Sequence, residues 1–194
     1  MKLCHLTPLL PLLLLSACRV NDTPQLATRA AEGNPAACYE YGHRLLTGHK
    51  APQDKEQAII WLQRAADKGN IRAAAALGAC YTHALGTKPD STLARKWYTI
   101  AAEAGHLHAQ ISLAEHYLKV TPKDPARAVT YIRYAAMQGS PDAAFLMSLC
   151  FAQGIGVPAH PRIALGWLTN AAELGHEQAL TILRDLANAQ EQKP

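Results

Sequence analysis

Nine histidines and five cysteines are the side chains of this 194-residue chain best suited to metal or nucleophilic chemistry. His106 and His108 form the tightest pair, but they fall at a turn with no further His or Cys at the spacing a zinc site needs. Glu115-His116 and His176-Glu177 each lack the second helical histidine of the His-Glu-x-x-His zinc-protease pattern. No Gly-x-Ser-x-Gly or Ser-x-x-Lys stretch offers an activated serine, and no nucleophile stands beside a positioned base. Gly154-Ile-Gly156 has two glycines of a phosphate loop but neither the third nor a preceding strand. The chain reads as catalytically silent, with no metal or cofactor, and its histidines as structural or solvent-exposed groups.

Apolar residues make up 49% of the chain and aromatic ones only 6%, so alanine and leucine must carry the core. That balance favours close-packed helices over a β-sandwich, which draws on β-branched and aromatic residues. One phrase is repeated four times: Trp61 to Gly69, Trp97 to Gly105, Tyr131 to Gly139 and Trp167 to Gly175, each with an Ala-Ala pair at its centre. The phrase glycines lie 36, 34 and 36 residues apart, a period that marks stacked supersecondary units.

Each phrase is predicted to be the second helix of a two-helix unit. Asp54, Asp90 and Asp124 stand seven residues before the phrase aromatic, where a carboxylate accepts from orphan N–H groups as an N-cap. His160 takes that place in the fourth unit, and Pro161 follows it as Pro125 follows Asp124, proline being favoured in a first turn. The glycines are expected to end these helices in left-handed geometry. First helices show small or apolar residues at helical spacing: Ala73, Leu77, Gly78 and Tyr81 in the second unit, with Ala37, Tyr41, Gly42 and Leu45, Ala109, Leu113, Ala114 and Tyr117, and Ala143, Met147, Ser148 and Phe151 as counterparts. Gly78 is expected to admit a partner helix rather than to break its own. The units are expected at about 37–72, 73–108, 109–142 and 143–178, after a partial unit from residue 28 and before a capping helix at 179–186 and a polar tail at 187–194. The expected fold is all-α, a right-handed α-solenoid with partial caps.

The N-terminus has its own pattern. Lys2 precedes an apolar stretch, Leu9, Leu10 and Leu12 to Leu15, interrupted by Pro8 and Pro11 and too short to span a bilayer, which reads as an export signal over 1–17. Leu15-Ser16-Ala17-Cys18 resembles the bacterial lipobox, which would make Cys18 the lipidated mature terminus, with 18–27 as a short tether. An ordinary secretory signal with a chance cysteine is the alternative, but Leu15 suits such a cleavage site poorly. Arg19, in place of an aspartate, fits sorting to the outer membrane. The expected location is the periplasm, anchored to the outer membrane.

Cys38, Cys80 and Cys150 remain in the mature chain. Cys80 and Cys150 each precede the first-helix aromatic, so they are equivalent positions two units apart, on the order of 20 Å for packed helices, beyond disulfide reach. They are expected as buried thiols, with intermolecular pairing as the alternative. A formal net charge of +4, no run of five basic residues and the export signal argue against nucleic acid as a partner.

The alternation of Ala…Leu-Gly…Tyr in first helices with Ala…Trp…Ala-Ala-Glu…Gly in second helices resembles the Sel-like repeat family, a relative of tetratricopeptide repeats. The likeness spans about 28–186 and is strongest in Leu77, Gly78, Tyr81, Ala94, Trp97, Ala101, Ala102 and Gly105, and in the loop Gly154-Ile-Gly156-Val157. The third unit departs from it, with Ala114 for glycine, Tyr131 for tryptophan and a loop two residues short. The resemblance implies a non-enzymatic scaffold that binds a partner protein in the groove lined by first helices. Carried onto this chain, the groove register gives Tyr39, His43 and Leu46, then Arg72 and His83, then His108, Ile111, Glu115, Leu118 and Lys119, then Asp142, Phe145, Leu149 and Gln153. Among exported members it implies immunity lipoproteins against secreted phospholipase toxins, or envelope-assembly and host-contact scaffolds; a cell-wall- or β-lactam-active enzyme is the contrasting class.

Overall fold

The computed structural model describes residues 22–120 and 123–191. Among these described residues there are ten α-helices and no strand. A single helix, α1 (Thr23–Ala31), precedes four pairs: α2 (Pro35–Thr47) with α3 (Lys55–Asp67), α4 (Ile71–His83) with α5 (Ser91–Glu103), α6 (Leu107–Lys119) with α7 (Pro125–Met137), and α8 (Pro141–Gln153) with α9 (Pro161–Glu173). A last helix, α10 (Glu177–Glu191), follows. Each of α2 to α9 has 13 residues, about 20 Å of helix, so the rods stack flush. Every first helix packs on its own second helix, and every second helix packs on the next first helix. The result is the all-α solenoid expected from the period.

Its regularity comes from a three-residue joint. Gly69, at φ 83°, donates its N–H to the Ala66 carbonyl at 2.8 Å, while Asn70 N–H reaches the Ala65 carbonyl at 3.0 Å, closing α3 as a Schellman motif. The Asn70 side chain then accepts from Ala73 N–H at 3.0 Å and starts α4. The same pair of bonds recurs at Gly33/Asn34, Gly105/His106, Gly139/Ser140 and Gly175/His176, and each second member caps the next helix. Second helices start as predicted: Asp54 accepts from Gln57 N–H at 2.9 Å, Asp90 from Leu93 at 2.9 Å, Asp124 from Arg127 at 3.0 Å and His160 from Ile163 at 3.4 Å.

Small residues bring the rods together. All eight alanines of the Ala-Ala pairs are buried, and a Cβ at Gly78 would overlap the ring of Tyr98. At Gly42 it would press on Leu62 at 3.1 Å. The equivalent facing residue is Ile132 in the third unit and Leu168 in the fourth, so Ala114 and Ser148 fit where glycine is needed opposite tyrosine. Cys38, Cys80 and Cys150 are buried thiols; Cys38 Sγ donates to the Ala30 carbonyl at 3.3 Å. Burial pushes the Cys80 thiol up to about 11 and that of Cys150 in the same direction, so neither is a thiolate nucleophile at neutral pH.

Both ends depart from the sequence reading. Helix α1 begins at Thr23, so the segment 18–27 expected as a tether is helical in its second part. It is held by Arg44, a charged side chain only 6% exposed, which donates to Asp22 at 2.6 Å and to Glu40 at 3.0 Å. Hydrogen bonding to Arg44 holds the Asp22 carboxyl below the usual range. At the other end α10 runs through Glu191, beyond the expected 179–186 and into the expected tail, because no Gly or Pro interrupts 177–191. The expected signal over 1–17, Cys18, Thr121 and Pro122 of the third loop, and residues 192–194 lie outside the described residues.

Candidate partner-binding groove

First helices present the side chains that the joint and the packing leave unused. Tyr39, His43 and Leu46 from α2, Arg72 from α4 and His108 from α6 come together in one hollow of about 330 Å³. Its floor is Ala75, Ala76 and Ala79, small enough to leave the space open. The Arg72 guanidinium lies over the Tyr39 ring at 4.7 Å, and Tyr39 and His43 have ring centroids 5.8 Å apart. A neighbouring hollow of about 230 Å³ brings in His83, Glu115 and Lys119 and shares Tyr98 and Ser112 with the first. Glu115 and Lys119 are paired at 2.9 Å across one helical turn.

The remaining expected groove residues are placed differently. Ile111 and Leu118 are half-buried and packed against the core, as Tyr39 and Leu46 are, and line neither hollow. Phe145 stacks on His176 with centroids 4.3 Å apart, and His176 Nε2 lies 3.6 Å from Asp142; both residues are thereby drawn to the start of α10. Phe145 and Leu149 line a separate apolar hollow of about 310 Å³ with residues of α9 and α10. Gln153 is exposed and lines none of these hollows.

Several lining residues escaped the sequence reading, Tyr98, His106, Ser112 and His116 among them. Tyr98 was hidden because it comes from a second helix, reaching the groove over Gly78. His106 caps a helix: its Nδ1 accepts from Ala109 N–H at 3.2 Å, which requires that nitrogen to be unprotonated. No group of three His, Cys, Asp or Glu able to hold a metal occurs among the described residues. Burial, then the charges of His108 and Arg72, hold the His106 imidazole below the ordinary value, and burial with Arg95 does the same for His116.

The His106 cap makes a pH prediction. Above the ordinary histidine pKa of about 6.5 the residue is neutral folded or unfolded, and the cap contributes fully. Below it the unfolded chain takes the proton first, so stability falls as pH drops through the lowered folded value. His106→Asn, which supplies the cap found at Asn34 and Asn70, should flatten the loss of melting temperature between neutral and acid buffers. His106→Ala should cost about 1 kcal/mol at neutral pH. An unchanged acid slope in His106→Asn would show that the cap is not the titrating contact.

Such a stack of short helix pairs, grooved along its first helices, defines a repeat solenoid. The Sel1 repeat matches at residues 35–70, 71–106, 107–140 and 141–176, and the chain belongs to the Sel1 repeat family. It is similar to the solved structure of a protective antigen of uropathogenic Escherichia coli with an SLR fold, at 32% identity and a TM-score of 0.78, covering 83% of this chain and 35% of that one. It is also similar to a Sel1 repeat protein from Oxalobacter formigenes, at 30% identity and a TM-score of 0.74, covering 84% and 48% of the two chains. Chitin synthase regulatory factor 3 of Schizosaccharomyces pombe is 35% identical over 142 residues, 71% of this chain and 15% of that protein. The chain thus spans less than half the length of each of these proteins.

Proposed function

We propose that this chain is a non-enzymatic scaffold that binds a partner protein in the groove across α2, α4 and α6. The observation that carries the reading is the groove itself: an alanine floor between half-buried aromatic and aliphatic side chains, rimmed by charged and titratable groups, the composition of an interface patch. Its two hollows leave Arg72 as a cation with no carboxylate free in the lining, because Glu115 is paired with Lys119, and add five histidines (His43, His83, His106, His108 and His116) as hydrogen-bonding rings. A complementary partner segment offers carboxylates flanking an apolar anchor.

In the finer form of this proposal the protein is exported, lipidated at Cys18 and held at the periplasmic face of the outer membrane, where it neutralises a secreted phospholipase toxin. Radiolabelled palmitate incorporated into wild type but not into Cys18→Ser tests the anchor. Survival of cells producing a phospholipase encoded beside this gene, rescued by the wild-type chain and not by Arg72→Glu/His108→Glu, tests the toxin reading. Rescue by the double variant would remove the groove from that role.

A further inference from the structure

A hollow of about 820 Å³ lies outside the groove, on the second-helix side between α5 and α7. It lies beside the one unit whose phrase aromatic is not tryptophan. Tyr131 is half-buried, as Trp61 and Trp167 are at the same register, and lacks their second ring, while Trp97 at the preceding junction is 5% exposed. Tyr131 lies parallel to Tyr117, with centroids 6.1 Å apart and planes 9° from each other. Tyr134, 51% exposed, stands edge-on to Tyr131 at 6.2 Å and faces the hollow as an accessible ring.

Around these rings stands an ordered set of hydrogen-bonding groups. Gln138 Nε2 donates to Gln110 Oε1 at 2.9 Å, and Gln110, itself 3% exposed, donates to the Ala102 carbonyl at 3.2 Å, which fixes the Gln138 amide and leaves its oxygen to accept. Thr99 and Thr130 hydroxyls donate to their own helices at 2.8 and 3.1 Å and keep lone pairs for a ligand. Glu103 and Arg127 bring one negative and one positive charge to the lining, and Arg127 is held by Asp124 at 3.1 Å. With no net charge to spend, the site does not suit a phosphate or a polyanion. A purely apolar guest would cover the Glu103 carboxylate and the free oxygen of the Gln138 amide without offering either a donor.

A ligand that meets both requirements has a flat apolar face for the tyrosine rings and an edge of hydroxyls for the amide, carboxylate, guanidinium and threonine oxygens. We propose that the hollow beside Tyr131 is a saccharide-binding site for a neutral, pyranose-based glycan. Its volume is in the usual range of about 300–1,000 Å³ for ligand pockets, and Tyr134 supplies the stacking platform at its mouth.

The test is a titration of the full chain with maltotriose, cellotriose and triacetylchitotriose, followed through the aromatic resonances of Tyr131 and Tyr134. At least one trisaccharide should move both rings saturably at millimolar concentration. Tyr131→Trp, which restores the residue the other units use, should melt no lower than wild type and abolish the shifts. Tyr134→Ala, at an exposed position, should weaken binding about tenfold. The proposal is overturned if none of the three sugars moves the rings, if the shifts persist in Tyr131→Trp, or if a phenylalanine-containing tripeptide saturates the rings where the sugars do not.

Discussion

Replacing Trp97 with alanine should lower the melting temperature by about 10 °C. Trp97 is 5% exposed and belongs to the core cluster that runs through all four units. Truncating a buried tryptophan to alanine costs about 3–5 kcal/mol in transfer and cavity terms, and about 2–4 °C per kcal/mol is the usual conversion for a domain of this size. Much of the buried core is alanine, which has no side-chain rotamers to swing into the gap. Stability in a solenoid is a chain of nearest-neighbour contacts, so the damage is concentrated where the second unit meets those beside it. Trp167, half-buried in the last unit, should lose less than half as much on the same change. Thermal unfolding followed by helical circular dichroism reads both; a Trp97→Ala chain melting within about 2 °C of wild type would refute the packing role.

Two glycines separated by one residue should behave very differently. Gly156, at φ 68°, sits where an added Cβ would overlap the Pro125 carbonyl of the preceding unit, and Gly86 repeats that contact against Lys55 two units earlier. Gly156→Ala therefore combines left-handed strain with a backbone collision that no rotamer relieves, about 3 kcal/mol in all. Gly154, at φ 74°, has open space to 3.6 Å around its missing Cβ, and its second-unit counterpart is already an alanine, Ala84, at φ 56°. Gly154→Ala should cost about 1 kcal/mol. Equal losses in denaturant melts would mean that strain alone, and not the loop-to-helix contact between units, governs this turn.

Much of the spine could be read from the sequence because its physics depends on residue type at fixed spacing. Asp54, Asp90, Asp124 and His160 were legible as caps, and Gly69 and its equivalents as left-handed closures. The first-helix caps were not, because Asn34, Asn70, His106, Ser140 and His176 do the same work with three different residue types and leave no shared letter to recognise. The start of α1 depends on Asp22 meeting Arg44, 22 residues away, a contact that no local pattern announces. The groove is intermediate: helical register put Tyr39, His43, Leu46, Arg72 and His108 on one face, but register alone does not say how deeply Ile111 sinks or that His176 draws Phe145 aside. The hollow at Tyr131 was not legible: the sequence marks the exchange of tryptophan for tyrosine, but the space depends on how two helices sit across it.

The central claim is that the repeated phrase builds the spine while the first-helix groove carries binding. Affinity capture on the purified chain, compared with His43→Glu/Arg72→Glu/His108→Glu in the groove and with Arg133→Glu/Tyr134→Glu on the second-helix side, tests it most directly. All five positions are exposed, so both variants should keep the wild-type circular dichroism spectrum. The account predicts a stoichiometric partner that is retained by the second-helix variant and lost from the groove variant. A partner held equally by the groove variant, or lost only from the second-helix variant, would contradict it.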